Sequence, residues 1–278
     1  MTVTVHSTEL PDVQSRPNKK GFPIDKVGIS DLNYPIIVLD REKKKQHTIA
    51  KLTLSVSLPH HFKGTHMSRF IEVLNHHRGE LTMRTLPAIL TEMKECLDAE
   101  SAHVEVRFPY FVEKVAPVTG AKGLMDYQCF FAGESNGQYN DFILGVEVPV
   151  QSLCPCSREI SDYGAHNQRG TVNIQIRSTT GKDGLPSMVW IEELVDIAEK
   201  SASAPLYPLL KRADERFVTM QAYDNPAFVE DIVRNVSVHL KTDQRIEWFR
   251  VHIINQESIH NHSAFAEIEW ARNKDTAQ

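Results

Sequence analysis

The sequence is short of the features that would place it in most specialised classes. Only four cysteines occur in 278 residues, Cys96, Cys129, Cys154 and Cys156, too few for a disulfide scaffold. No stretch approaches the roughly 18 apolar residues of a membrane span, and Met1 to Gln14 carries no apolar core of a secretory signal. Excess charge of one sign is also missing: 31 Lys and Arg stand against 36 Asp and Glu, a formal net charge of -5. Capture of nucleic acid by a broadly basic surface is therefore not expected, and a polyanionic small molecule would need a local basic pocket. These absences predict a cytoplasmic protein, off the membrane, whose cysteines stay reduced and free to bind metal or to react. What remains is ordinary for a globular enzyme, with 41% hydrophobic and 24% charged residues. The length suits one large domain or two smaller ones sharing a core.

Along the chain, residues 1–46 are rich in Pro, Lys and Asp with little periodicity, and are read as a partly ordered arm. Residues 47–135 form a first unit. Leu52, Leu54, Val56 and Leu58 alternate with polar residues as in a half-buried strand. The segment Gly64 to Phe70 runs from a loop into a short helix. Leu86, Leu90, Met93 and Leu97 recur at helical spacing, with Pro87 tolerated in the first turn. Strands follow at His103 to Phe108 and about Leu124 to Ala132. Residues 136–278 repeat that order. Leu144, Val146, Val148 and Val150 make one strand face, and Val172, Ile174 and Ile176 another. Helices are expected around Ile191 to Ala198 and from Asn225-Pro226, with Asn225 as N-cap. Two last strands lie near Glu247 to Ile254 and Ala264 to Trp270. The fold class is thus α+β, with antiparallel sheets covered by helices on one face. Open sheet edges favour an oligomer that continues the sheet.

The sharpest motif is Cys154-Pro155-Cys156-Ser157, followed by Gly164-Ala165-His166-Asn167-Gln168-Arg169-Gly170. A thiolate at Cys154 and an imidazole at His166 suit a borderline metal, and the absence of a second Cys/His cluster fits an open, catalytic site rather than a structural one. Taken alone, the cysteine pair reads equally well as incidental. Lys211 and Arg212 can hold phosphates, and Glu215 can supply an oxygen ligand or handle a proton, although an exposed charged helix end has the same composition. Glu230, between apolar helical neighbours, can accept from two adjacent N–H groups such as those on guanine. Glu257 and His260 stand in a polar loop between the last strands, where histidine can relay protons. His66 and Arg69 can contact an anion. His76 and His77 are rejected as metal ligands, since adjacent helical residues point different ways.

Together, Gly64 to Phe70, Ser152 to Ser157, Gly164 to Arg169, Lys211-Arg212 with Asp214-Glu215, Phe228 to Arg234 and Glu257 to His260 closely resemble the type IB GTP cyclohydrolase family. The resemblance implies a tunnelling fold with two tandem modules per chain, and a homotetramer with active sites at subunit interfaces. It implies one divalent ion per site (Zn, Mn or Fe) on Cys154, His166 and Glu215, with no nicotinamide. It implies GTP as substrate and 7,8-dihydroneopterin triphosphate and formate as products. Cys156 becomes a second essential thiol, joining Cys154, Glu257 and His260 in the catalytic set. Glu230 would anchor guanine, and His66, Arg69, Arg169, Lys211 and Arg212 would contact triphosphate or ribose. The competing readings are a nitrile reductase of the queuosine pathway, which shares that fold, and a non-catalytic nucleotide- or metal-binding protein.

Overall fold

The computed structural model describes residues 12–77, 80–137 and 139–272. In the first half, β1 (Ile24–Asp40) and β2 (Lys44–Leu58) are followed by α1 (Met67–His76), α2 (Leu86–Leu97), β3 (Ser101–Val115) and β4 (Lys122–Asn136). The second half runs β5 (Tyr139–Leu153), α3 (Pro155–Ile160), β6 (Asn167–Ser178), α4 (Ile191–Ser201), β7 (Ala204–Pro205), α5 (Arg212–Asp224), α6 (Val229–Thr242), β8 (Ile246–Gln256) and β9 (Ser263–Ala271). The strands join in one sheet, ordered β1-β2-β3-β4-β5-β6-β8-β9, with β7 pairing the end of β5. Every one of these pairings is antiparallel.

Alternation along the strands selects the buried face. Leu52, Leu54 and Val56 of β2, Val104 and Val106 of β3, Val146, Val148 and Val150 of β5, and Val172 and Ile174 of β6 share one core with residues from α1, α2, α4 and α6. On those helices, Phe70 and Val73, Ile89 and Met93, Leu194 and Ala198, and Ile232 and Val236 supply the matching stripes. The other sheet face is open, exposing Ile49 and Phe265.

Two expectations are corrected. The segment read as part of an arm contains β1, which pairs with β2 from Ile24 to Asp40 and buries Ile36 and Val38. Two register shifts, between Ile24 and Val27 and between Ile29 and Leu32, break its period-2 signal. Asn225 is not an N-cap; it ends α5, its N–H donating to the Gln221 carbonyl oxygen at 3.1 Å. α6 begins at Val229, and the Asp231 carboxylate accepts from the Phe228 N–H at 3.1 Å.

The antiparallel order sorts the connections onto two ends of the sheet. The turns β1–β2 and β3–β4, the end of β5, the start of β6 and the β8–β9 loop lie at one end. The end of β2, the start of β3 and the β4–β5 turn lie at the other.

Candidate active site at one end of the sheet

The loop after β5 is built by its own sequence. Cys154 is extended and serves as N-cap of α3, its Sγ accepting from the Ser157 N–H at 3.4 Å. Pro155 fits the first helical turn, where its missing N–H loses no bond. The Ser157 hydroxyl donates to the Cys154 carbonyl oxygen at 3.1 Å and accepts from the His166 N–H at 3.2 Å. Gly164, at φ 136°, permits the reversal that brings the chain back. The return is closed by the Cys154 N–H donating to the His166 carbonyl oxygen at 3.1 Å. Two predicted metal ligands twelve residues apart in sequence thereby become backbone neighbours.

The His166 ring is oriented from the β8–β9 loop, where Nδ1 lies 2.9 Å from the Ser258 hydroxyl oxygen. That contact leaves Nε2 as the nitrogen for a further partner. Beside it, Glu257 accepts from Gln168 Nε2 at 2.5 Å. Gln168 Oε1 lies 3.3 Å from the Ser152 hydroxyl, and Ser152 accepts from Asn255 Nδ2 at 2.7 Å. The start of α6 docks on the same corner, the Ala227 N–H donating to the Leu153 carbonyl oxygen at 3.2 Å. Glu230 is therefore held in the first turn of a helix whose entry touches the residue before Cys154, and it is exposed. Cys156, on α3, is exposed as well.

The remaining predicted residues are placed less tightly. Glu215 is exposed on α5, whose far end meets α3 where Arg158 lies 4.8 Å over the Tyr223 ring. Tyr223 lies eight helical positions beyond Glu215, about 12 Å along the axis. Among the described residues no three His, Cys, Asp or Glu side chains form a cluster able to hold a metal ion. Lys211 and Arg212 open α5 at this end of the sheet, both exposed. They are set by Asp214, which is wholly buried and accepts from the Val118, Thr119 and Lys211 N–H groups at 2.8, 2.8 and 2.9 Å and from the Thr119 hydroxyl at 2.6 Å. Burial pushes the Asp214 carboxyl up, but the Thr119 hydroxyl and these backbone donors outweigh it and hold the group well below the usual carboxylate range. Arg169 is exposed on β6 and points away from its buried neighbour Gln168. His260 is exposed and stacks on His262, ring centroids 5.1 Å apart.

His66 and Arg69 stand at the opposite end of the sheet. His66 lies 3.4 Å from Asp12, and Arg69 donates to the Cys96 carbonyl oxygen at 2.7 Å. One chain does not bring this pair to the Cys154 corner. His76 and His77 both engage Glu92 at 2.6 Å.

Sequence reasoning missed the supporting residues Ser152, Asn255 and Ser258, and assigned no role to Gln168 or Asp214. A signal was available for two of them. Ser152 continues the inward register of Val146, Val148 and Val150, and Gln168 that of Ile176, Ile174 and Val172, so a polar residue falls where the pattern calls for an apolar one.

The sheet-and-helix arrangement is shared with solved uricases, which fixes the fold class. The uricase from Bacillus fastidious superposes with a TM-score of 0.54 over 91% of this chain and 95% of its own, at 8% identity. The uricase from Arthrobacter globiformis gives 0.52 over 89% and 93%, at 9% identity. At such identities the likeness concerns fold alone. Sequence relatives are far nearer. GTP cyclohydrolase FolE2 of Syntrophotalea carbinolica is 53% identical over 267 residues, 96% of this chain and 97% of its own. That of Geobacter sp. (strain M21) is 53% identical over 263 residues, 95% and 96% of the two chains. The profile of the type I GTP cyclohydrolase folE2 family matches residues 10–266. The chain belongs to that family.

Proposed function

We propose that the chain is a GTP cyclohydrolase that converts GTP and water to 7,8-dihydroneopterin triphosphate and formate, the entry to folate and pterin biosynthesis. The observation that carries this reading is the convergence of Cys154, His166, Glu257 and the Glu230 helix entry at one end of the sheet, in a member of that family. The type IB designation, the two tandem tunnelling-fold modules, the homotetramer and the cytoplasmic setting are parts of the same proposal. The first half runs ββααββ and the second keeps that order with α3, β7 and α5 inserted, which supports the modules. The outer strands of the sheet are β1 and β9, and among the described residues only the Ile37–Glu80 bridge lies beyond them, which supports assembly through the sheet.

Sulfur, imidazole and carboxylate donors suit Zn²⁺, Fe²⁺ or Mn²⁺. Cys154 and His166 fit such an ion, with His166 Nε2 left available. Glu215, on α5, is the third proposed ligand. A divalent ion there would supply a Lewis acid that activates water near neutral pH. The chain's own residues supply the rest. Glu230 accepts from the guanine N1–H and exocyclic amine and so holds C8 in place through several steps. His260 or Cys156 gives a proton to N7, which makes C8 electrophilic. Glu257, braced by Gln168, takes up protons released as the ring opens and formate leaves. Lys211, Arg212 and Arg169 bind the triphosphate or ribose. His66 and Arg69 join them only from a second copy, in keeping with sites at subunit interfaces.

The test is GTP turnover followed by formate release and by pterin fluorescence after oxidation. Activity is expected to vanish on chelation and to return with a divalent ion. Turnover that survives exhaustive chelation contradicts the metal role, and absence of formate contradicts the activity.

A further inference from the structure

Below the Cys154 loop, three strands place polar side chains in one row of the buried face. Ser152 of β5 is the register partner of Gln168 of β6. The β6–β8 ladder pairs Arg169 with Gln256, so Glu257 follows opposite Gln168. Asn255 sits one row deeper, opposite Gly170. Ser152, Asn255 and Gln168 are 0%, 2% and 8% exposed, at positions that the strand pattern would fill with Val or Ile. We propose that Gln168 is a positioning residue for Glu257, held in its orientation by Ser152 and Asn255. The proposal rests on the reading of Glu257 as a proton-handling group.

The direction of the chain of hydrogen bonds supports it. Asn255 Nδ2 can only donate, so Ser152 Oγ accepts from it and directs its single proton to Gln168 Oε1. The carboxamide is thereby turned with Nε2 toward Glu257, where it donates to Oε2 at 2.5 Å. Among the described residues Glu257 Oε1 has no partner, which leaves one oxygen for the reaction. A buried chain of this kind is rigid because each bond polarises the next in a medium of low dielectric. It also carries a penalty that an apolar core would avoid, since Asn255 Oδ1 is buried without a partner. Gly170 makes room for that amide, as a Cβ there would fall 2.3 Å from Asn255 Oδ1. A network that accepts such a penalty to orient one carboxylate is explained by the geometry it imposes, not by stability.

The test is a double-mutant cycle on steady-state GTP turnover by the metal-loaded full-length enzyme. Gln168→Met keeps length and removes the amide; it is expected to lower kcat about 10- to 100-fold while KM stays within about twofold. The Gln168→Met/Glu257→Ala double variant should be no slower than Glu257→Ala alone, because Gln168 acts through that carboxylate. Ser152→Ala should show the same pattern with a smaller loss, and takes the place of Gln168→Met in the cycle if the latter does not fold. Additive losses, or full kcat in Gln168→Met beside an inactive Glu257→Ala, overturn the positioning role and leave Glu257 as a proton-handling group. Full kcat in Glu257→Ala overturns both.

Discussion

At the seam between the two halves, two carboxylates are filled with donors on both oxygens. Glu199 accepts from Tyr127 Oη at 2.8 Å and pairs with Lys114, and Asp214 takes four donors, three of them from the β3–β4 turn and its flank. Beside them Glu192 receives the Tyr110 hydroxyl at 2.6 Å and the Arg41 N–H at 2.9 Å on Oε1, while its Oε2 is buried without a partner. Burial, together with these neighbouring carboxylates, pushes the Tyr110 and Tyr127 phenols far above their ordinary range, so both remain donors. In the corner around Cys154 the carboxylates are treated differently. Glu230 is exposed, and Glu257 receives one donor on one oxygen. The two regions lie at the same end of the same sheet, so location does not separate them. Spare acceptor capacity that is not buried does: a saturated buried carboxylate fastens helices to strands, while one with open, accessible lone pairs is free to meet a ligand or a proton.

That contrast can be broken by substitution. Cys154→Ala and His166→Ala should lose bound metal and drop turnover by about a thousandfold, corresponding to several kcal/mol of lost charge stabilisation; circular dichroism should remain native. Metal analysis is the check, and Cys156→Ala should keep the metal while losing turnover. Glu199→Ala should act in the opposite sense, destabilising the fold by about 3–5 kcal/mol because Lys114 and Tyr127 lose their partner in the interior. Urea denaturation measures it, and a native-like midpoint would place that pair among the dispensable ones. Glu230→Ala should raise KM for GTP about 10- to 100-fold, the worth of a charge-assisted pair of hydrogen bonds, with stability unchanged.

Asp214→Asn tests the saturated class through pH. The folded carboxyl is held below its unfolded value of about 3.9, so its stabilising contribution is present above that pH and is lost as the pH falls toward the folded value. The difference in denaturation midpoint between wild type and variant should therefore be full at pH 7 and shrink below about pH 4; a constant difference would mean that the four donors do not favour the charged form. Smallest of all, Asp231→Ala should cost about 1 kcal/mol by uncapping α6, read as a small fall in melting temperature, with a slight rise in KM as the Glu230 turn frays.

How much of this was legible depended on whether a residue announced its surroundings within a few positions. The β5 and β6 runs of alternating Val, Ile and Leu declared their buried face, and the Cys154 loop declared itself through proline, two thiols and a histidine at fixed spacing. β1 did not, because its two register shifts scramble the alternation on which strand recognition depends. Asn225-Pro226 has the composition of a helix start, yet the Asn225 backbone N–H closes the preceding helix on the Gln221 carbonyl oxygen, and its side chain is drawn off to the Ala202 carbonyl oxygen at 2.9 Å. Ser152, Gln168 and Asn255 stand 16 and 87 residues apart in sequence, and nothing local reports that their strands adjoin.

The sequence by itself determined the strand and helix periods, the metal-suited donors and the family, because each is written in residue type and short-range spacing. Tertiary structure alone decided which carboxylates are saturated and which are open, that Cys154 and His166 close the same loop, and that His66 and Arg69 lie a strand's length from them. Those are matters of which distant segments share a sheet end, and hydrogen-bond partners reach only about 3 Å.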